Sequence, residues 1–268
     1  MDALVALSNS IYLALNGLVG RSWLIDTLIS LPIDNNLVKA GPIGACFVYA
    51  WWSGRDEAET RRRRATLLVT IASLLFVMAA TKTLGHQVFL PRPFVHSQQA
   101  WHLEDGTLVE TPRLAYREPL AGQVRKRTEA LKRGDIDQND LVSFPSDHAG
   151  FFFALSLGIF LASRRAGAVA LAWTLFAVLL PRIVTGMHSP LDIVAGAAIG
   201  AAILLAVQYV ARRTRQWALE PLAGWTLRHE ALAAAMLFFF IVESADVLVD
   251  LRDLAGTGQA VVEHVVGA

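Results

Sequence analysis

Long runs of apolar residues are the feature that most restricts the folds open to this chain. A helix needs about 20 consecutive, mostly apolar residues to cross a bilayer. Runs near that length lie at about 37–53, 65–88, 148–163, 166–183, 190–210 and 230–249. Only 18% of the 268 residues are charged, fewer than the roughly 25% of a soluble domain. The sequence predicts an all-α polytopic membrane bundle of about six transmembrane helices, forming one domain over 1–268.

The N-terminal segment, 3–32, is apolar but is interrupted by Asn9, Asn16 and Gly17. This pattern predicts an amphipathic segment that lies in the membrane interface, with a true span as the alternative. The lone cysteine, Cys46, leaves no intrachain disulfide to form. The net charge of +1 gives no indication of nucleic-acid binding.

Arginine-rich links suggest how the bundle is oriented. They occur at 55–64, 164–165 and 212–215, and all three fall on one side if the spans alternate. Short loops rich in arginine are typical of the cytoplasmic side. We therefore expect a multi-pass protein of the cell (inner or plasma) membrane. Its long insert, about 95–142, is predicted to be extracytoplasmic and to hold a short helix around 119–133.

Three polar clusters lie on the predicted extracytoplasmic face. They read "KTLGHQVFLPRPF" (82–94), "FPSDHA" (144–149) and "PRIVTGMHSPLD" (181–192). The clusters are distant in sequence, but each sits where a predicted span meets the same face. Polar groups at this depth are costly unless they have partners or a task. The three clusters together predict a functional site at that face.

The third cluster contains a candidate nucleophile. His188 and Asp192 are four residues apart, so on a helix the carboxylate can meet the imidazole. A carboxylate on one ring nitrogen fixes the tautomer and leaves the other nitrogen free to attack. Arg92 and Arg182 keep their charge and can bind phosphate oxygens through two donors each. These residue types suit phosphoryl transfer.

The second cluster contains a candidate anion site and a candidate acid. Backbone N–H groups after Pro145 point out of a predicted helix start, which is a favourable place for an anion. Ser146 can donate its hydroxyl there, and His148 can donate a proton. The combination predicts metal-independent chemistry with no cofactor.

Each residue also has an ordinary structural explanation. Arg92 and Arg182 are compatible with interfacial anchors that extend to lipid headgroups. His188 and Asp192 have the spacing of a zinc pair, although no third ligand is evident. Ser146 and Asp192 are both suitable helix caps.

The order and spacing of these motifs resemble the type 2 phosphatidic acid phosphatase superfamily. That pattern is Lys-x6-Arg-Pro, then Pro-Ser-Gly-His, then Ser-Arg-x5-His-x3-Asp. The resemblance covers about 65–210, which we take as the catalytic core, with an extra C-terminal helix at about 230–249. It implies a membrane-bound phosphatase that acts on lipid phosphates.

The resemblance also implies roles for individual residues. His188 would take the phosphoryl group as a phosphohistidine, and Asp192 would orient it. His148 would protonate the leaving group and then activate water. The residues that would hold the phosphate oxygens are Arg92, Arg182 and Ser146.

Three positions depart from the family pattern. The motif lysine falls at Gly85, and Lys82 and His86 are the nearby candidates to bind phosphate in its place. Asp147 replaces the motif glycine beside the phosphate site, and the sequence gives no reason for this extra carboxylate. Pro181 replaces the motif serine.

The stretches "PRPFV", "FPSDHA" and "GMHSPLDIVAGA" resemble the bacterial undecaprenyl pyrophosphate phosphatases, although the 95–142 insert is not typical of them. Undecaprenyl pyrophosphate is therefore the first predicted substrate. Phosphatidic acid, phosphatidylglycerol phosphate, another prenyl pyrophosphate and a lipid phosphotransferase reaction remain alternatives. Other classes also remain open: a transporter, a haem protein using His148 and His188, and a catalytically inactive lipid-phosphate binder.

Overall fold

The computed structural model describes residues 2–85, 87, 90–97, 101–110, 113–135, 142–213 and 219–245, and this part of the chain is mostly helical. Its helices are α1 (Asp2–Asn16), α2 (Trp23–Asp34), α3 (Asn36–Trp52), α4 (Glu57–Gly85), α5 (Pro93–His96), α6 (Gln123–Lys132), α7 (Asp147–Ala162), α8 (Arg164–Val184), α9 (Pro190–Arg213), α10 (Leu219–Arg228) and α11 (Glu230–Ala245). Residues 174–179 of α8 form a π-helical turn.

Among the described residues, three helices, α4, α8 and α9, are long and apolar enough to cross a membrane. A fourth crossing results if α10 and α11, bent by 107° at their junction, count as one broken span. Helices α3 and α7 have 17 and 16 residues and are shorter than a typical span. The chain is thus a multi-pass membrane protein with three to four supported spans, and the figure of six remains a prediction.

The N-terminal segment forms two helices instead of one. Helices α1 and α2 have 15 and 12 residues, and a turn in which Gly20 has a φ of +71° lies between them. Glycine adopts this backbone conformation readily because it has no Cβ. Neither helix is long enough to cross a bilayer alone.

A short antiparallel hairpin in the insert was not part of the all-α prediction. Strands β1 (Trp101–Glu104) and β2 (Thr107–Glu110) pair through a two-residue turn. Both turn residues, Asp105 and Gly106, have a positive φ. An Asp-Gly pair is favoured in this kind of turn because its backbone twist matches that of the flanking strands.

The rest of the described insert is fixed to the N-terminal helices by buried polar side chains. Asn16 donates to the Arg117 carbonyl at 3.1 Å and accepts from its backbone N–H at 2.6 Å. The carboxylate of Asp26 accepts from the Leu120 backbone N–H at 2.7 Å. Above the bundle, a small apolar cluster joins the insert to the polar motifs; its buried members are Phe94, Val95, Val124 and Met187. The described part of the insert therefore covers the segments next to Arg92 and His188.

The arginine-rich stretch at 55–64 is not the loop that the sequence suggested. Helix α4 begins within it, where the Asp56 side chain accepts from the Glu59 backbone N–H at 2.7 Å. The four consecutive arginines, 61–64, therefore lie near the start of α4, and Arg55 precedes the helix. Arg64 is 1% exposed and forms an ion pair with Glu230 of α11 at 2.9 Å.

Helices α4, α7 and α9 pack together at the centre of the bundle. The largest apolar side chains of this core include Phe47, Leu67, Leu74, Phe151, Phe152, Ile159 and Leu204. Many large apolar side chains instead face outwards, among them Leu24, Leu75, Phe76, Phe176, Val194 and Phe238. So much exposed apolar surface is expected where a protein faces lipid.

Candidate functional site

Direct contacts join the three polar clusters at one end of the bundle. The backbone N–H of Ser146, in the second cluster, donates to the carbonyl of Asp192, in the third, at 3.1 Å. From the first cluster, the Arg92 guanidinium donates to the Met187 carbonyl at 3.2 Å. Segments separated by about 45 to 95 residues in sequence therefore form one site.

His188 lies in the turn between α8 and α9 and is 3% exposed. Its backbone N–H donates to the Arg182 carbonyl at 3.1 Å, and Gly186, with a φ of +81°, allows the turn. Burial lowers the pKa of His188 below its usual value near 6.5, because desolvation disfavours the charged imidazolium. The imidazole is therefore neutral at pH 7, as a nucleophile must be.

Ser143 stands between the imidazole and the carboxylate that was expected to contact it directly. Nδ1 of His188 and Oδ2 of Asp192 are 3.8 Å apart, too far for a hydrogen bond. The Ser143 hydroxyl lies 3.1 Å from Nδ1 and donates to the Asp192 carboxylate. With this donor direction, Nδ1 carries a hydrogen and donates to Ser143. Nε2 then keeps its lone pair and can attack.

Asp192 is held in place at the start of α9. Its carboxylate accepts from the Ser189 backbone N–H at 2.7 Å, and its own N–H donates to the Ser189 hydroxyl at 3.2 Å. In this reciprocal pair Ser189 is the N-cap of α9, and Asp192, which the sequence suggested as the cap, is the partner three residues further on. Capping and orientation of His188 are compatible, since a carboxylate accepts several hydrogen bonds.

Ser146 caps the N-terminus of α7. Its hydroxyl oxygen accepts from the Ala149 backbone N–H at 3.3 Å, and the residue is fully buried. An oxygen that accepts in this way still has its own hydrogen to donate. The N-terminal end of a 16-residue helix also carries a partial positive charge. Both features favour an anion at this point.

The two arginines differ in their surroundings. Arg182 is 3% exposed, and its guanidinium donates to the Val178 carbonyl at 2.6 Å. This burial is inconsistent with an interfacial anchor extended into water. Arg92 is partly exposed, and its charge acts on both Arg182 and His188. Arg92 thus provides positive charge at the His188 imidazole, and the charge of Arg182 acts on the His148 imidazole.

The structure places two partners, His148 and Lys82, next to the carboxylate of Asp147, which stands where the family motif has glycine. One carboxylate oxygen accepts from the His148 backbone N–H at 2.7 Å and lies 2.9 Å from ring Nδ1 of the same residue. A carboxylate at Nδ1 holds the hydrogen there and leaves Nε2 of His148 pointing away from it. The other oxygen lies 3.9 Å from the Lys82 ammonium, whose charge compensates the carboxylate. Asp147 therefore orients His148.

The structure describes only one of the two residues, Lys82 and His86, that were predicted to replace the motif lysine at Gly85. Lys82 is half-exposed and faces Asp147, and His86 lies outside the described residues. Lys39 of α3 was missed from the sequence. It is 5% exposed, and its charge acts on the His148 imidazole. A lysine inside an apolar run was the available signal, because buried ionisable groups in membrane segments are usually functional.

Two glycines bring the second and third clusters together. Gly196 and Gly200 are one turn apart on α9, and both face the start of α7. A Cβ on Gly196 would lie 2.2 Å from the Ser146 carbonyl oxygen, and one on Gly200 would lie 2.3 Å from the Gly150 carbonyl oxygen. Small residues at this spacing allow helices to approach closely in membranes.

No set of three or more His, Cys, Asp or Glu side chains in the described ranges is arranged to hold a metal ion. The zinc alternative for His188 and Asp192 therefore has no third ligand among these residues. Metal independence remains a prediction, to be tested with a chelator.

The molecule is a helical membrane protein with a buried histidine and two arginines at one end of its bundle. A profile of the PAP2 superfamily matches residues 64–216. The chain belongs to the PAP2 superfamily, and the family resemblance seen in its motifs is confirmed. This membership supports a lipid phosphatase.

One curated relative is the bacitracin transport permease protein BcrC of Bacillus licheniformis, which is 44% identical over 69 residues. The matched stretch is 26% of this chain and spans about a third, 34%, of the relative's length. No solved structure matches the chain.

Proposed function

We propose that this protein is a membrane lipid phosphatase that removes the terminal phosphate of undecaprenyl pyrophosphate. The observation that carries the proposal is the buried imidazole of His188. Ser143 fixes its tautomer, and the charge of Arg92 acts on it. The catalytic core would lie within 65–210 of a single domain, and the site would face the extracytoplasmic side of the cell membrane.

In the first step, Nε2 of His188 attacks the terminal phosphorus of the pyrophosphate. The P–N bond forms as the bond from phosphorus to the bridging oxygen breaks. Charge then grows on the imidazole ring, and the hydrogen-bond relay through Ser143 to Asp192 stabilises it. The leaving lipid monophosphate takes a proton from His148, which Asp147 positions.

In the second step, a water molecule replaces the enzyme on phosphorus. His148, now deprotonated, accepts a proton from the water as its oxygen bonds to phosphorus. The P–N bond breaks, inorganic phosphate leaves, and neutral His188 is restored. The same residue thus serves as the acid in the first step and as the base in the second.

The phosphate oxygens are bound by Arg92, Arg182 and the N-terminus of α7, where Ser146 lies. Guanidinium groups bind phosphate through two parallel hydrogen bonds, and the helix end adds backbone donors. We assign Lys82 to charge compensation of Asp147 as well as to the phosphate site, since their charged groups lie 3.9 Å apart. His86 stays a predicted ligand.

The alternative to an enzyme is a transporter, a function that the name of the relative BcrC suggests. A charge-lined pathway requires ionisable residues through the depth of the bilayer. In the three long helices, the stretches 65–81, 166–181 and 193–211 contain no Asp, Glu, Lys, Arg or His. The charged residues of these helices gather at their ends, which favours a site at one membrane face over a pathway.

Phosphate release from purified protein in detergent with EDTA tests the proposed function. The substrates to compare are undecaprenyl pyrophosphate, phosphatidic acid and phosphatidylglycerol phosphate. We expect fastest release from the pyrophosphate, and rapid quenching with a terminally ³²P-labelled substrate should trap an acid-labile, base-stable phosphoenzyme. Activity lost with EDTA, or label on a hydroxyl oxygen, would contradict the mechanism. Transfer of label to an added lipid alcohol would identify a phosphotransferase.

Replacing Ser143 with alanine is expected to lower kcat about 10- to 100-fold with little change in KM. The substitution removes the hydroxyl between His188 and Asp192 and leaves a 3.8 Å gap that neither side chain bridges. Ser143→Thr keeps a hydroxyl and should retain more activity. The double variant Ser143→Ala/Asp192→Asn should be little slower than Asp192→Asn alone, because the two residues act as one unit. Additive losses would show that Ser143 does not act through Asp192.

The pH dependence of kcat/KM follows from the lowered pKa of His188. Only the neutral imidazole attacks, so activity falls on the acid side as pH drops through the pKa of His188 in the free enzyme. Since burial lowers that pKa, the midpoint of the acid limb is expected below pH 6.5. The ionisation of the substrate phosphate should be measured separately by ³¹P NMR and subtracted. A corrected midpoint above 6.5 would mean that His188 is stabilised as a cation.

A further inference from the structure

A second charged cleft lies at the end of the bundle opposite to the candidate active site. It has a volume of about 290 Å³ and lies between the start of α4, the end of α7 and the end of α9. Along α4, Lys82 lies 19 positions after Arg63, which separates the two ends by about 28 Å at 1.5 Å per residue. That separation is close to the roughly 30 Å thickness of the bilayer core. The cleft is therefore distinct from the phosphatase site.

The polar part of the cleft is strongly cationic. Arg62, Arg63 and Arg212 line it, and no carboxylate is among its lining residues. Glu59 lies nearby and pairs with Arg63 at 2.7 Å, but it is 4.0 Å from Arg62. Within the described ranges, Arg212 forms no ion pair. The cleft thus carries excess positive charge that a single acidic side chain does not neutralise.

The inner part of the cleft is apolar, and a hydrogen bond holds two of its helices together. Val69 of α4 and Leu161 of α7 supply aliphatic walls. Gln208 of α9 is buried and donates to the Thr66 carbonyl of α4 at 2.9 Å, which ties the two helices together beneath the arginines. Positively charged groups next to an aliphatic wall suit a ligand that has both an anionic group and an apolar chain.

We propose that this cleft binds an anionic phospholipid, with its phosphate between Arg62 and Arg212 and an acyl chain along Val69 and Leu161. Guanidinium groups suit a phosphodiester because they offer paired donors and stay charged. Basic pockets between transmembrane helices bind anionic headgroups on the cytoplasmic side. The arginine-rich links predict the same side for this end. The lipid would be a resident ligand, separate from the substrate.

Native mass spectrometry of the full-length protein in micelles tests this site. The probes are dioleoylphosphatidylglycerol, dioleoylphosphatidylcholine as a neutral lipid, and inorganic phosphate as a free anion. We expect the wild type to retain phosphatidylglycerol and not phosphatidylcholine, with millimolar phosphate failing to displace it. The double variant Arg62→Gln/Arg212→Gln should bind phosphatidylglycerol at least about tenfold more weakly, since two charged hydrogen-bonding groups are lost.

Arg165→Gln is the matched control, because Arg165 is exposed at the same end of the bundle but does not line the cleft. It should bind phosphatidylglycerol like the wild type. Unchanged thermal unfolding in lipid-free micelles checks that the double variant folds, and Arg212→Gln alone replaces it if it does not. Equal binding by the cleft variants and the wild type, equal retention of phosphatidylcholine, or displacement by inorganic phosphate would each overturn the proposal.

Discussion

Replacing His188 with alanine is expected to abolish phosphate release from the lipid substrate, with a loss of about 10,000-fold or more. The reason is that the proposed reaction forms a covalent bond to Nε2 of His188, an atom that alanine lacks. Removal of a nucleophile typically eliminates nearly all of the rate that its partners support. The measurement is phosphate release together with ³²P labelling of the quenched enzyme, and both should disappear.

Two controls separate a chemical loss from a structural one. His229→Ala removes an exposed histidine at the junction of α10 and α11 and should keep wild-type activity. Free imidazole added to His188→Ala should restore part of the rate if the pocket remains intact. Substantial phosphate release by His188→Ala without imidazole would rule out the phosphohistidine mechanism.

A single added methyl group on Gly196 is expected to impair both stability and activity. In Gly196→Ala, the new Cβ would lie 2.2 Å from the Ser146 carbonyl oxygen, so α9 must move away from the start of α7. Overpacking of this kind typically costs about 1–3 kcal/mol of unfolding free energy. The same movement stretches the 3.1 Å hydrogen bond from Ser146 to Asp192, which joins two parts of the site. We expect kcat/KM to fall about 100-fold, because small misplacements of catalytic groups have effects of this size.

Gly224→Ala is the matched control, since Gly224 also lies in a helix and an added Cβ there meets no atom within 4 Å. In a helix, alanine is favoured over glycine by roughly 1 kcal/mol, so this variant should be as stable as the wild type or slightly more stable. Thermal unfolding in detergent and phosphate release, measured on both variants, make the comparison. Wild-type behaviour of Gly196→Ala would mean that close contact between α7 and α9 does not position the site.

Sequence reasoning named most of the side chains that the structure brings together at the candidate site, because their chemistry is visible locally. An arginine or histidine at the edge of an apolar run stands out, and the spacing of His188 and Asp192 reports a shared helix face. The hairpin and the split N-terminal segment were not predicted, since an Asp-Gly turn and a single glycine are weak signals in a long chain. Helix length in the described residues supports three or four of the predicted spans, and the figure of six stays a prediction.

Side-chain partners were much harder to predict. Ser143 was given no role, although its hydroxyl lies between the imidazole and the carboxylate. Asp147 had no explanation until His148 and Lys82 were placed around it. A shift of a few tenths of an ångström decides whether two groups form a hydrogen bond, and periodicity in a sequence carries no information at that scale.

The sequence by itself determined the class of protein. Whether a helix can lie in lipid depends on its length and on how apolar its residues are, and both can be read from the sequence. It also determined which residue types were present to bind and attack a phosphate. Only the tertiary structure decided which of those groups meet. Their positions depend on how closely α7 and α9 approach, and that distance is set by atomic contacts at Gly196 and Gly200 between segments that are far apart along the chain.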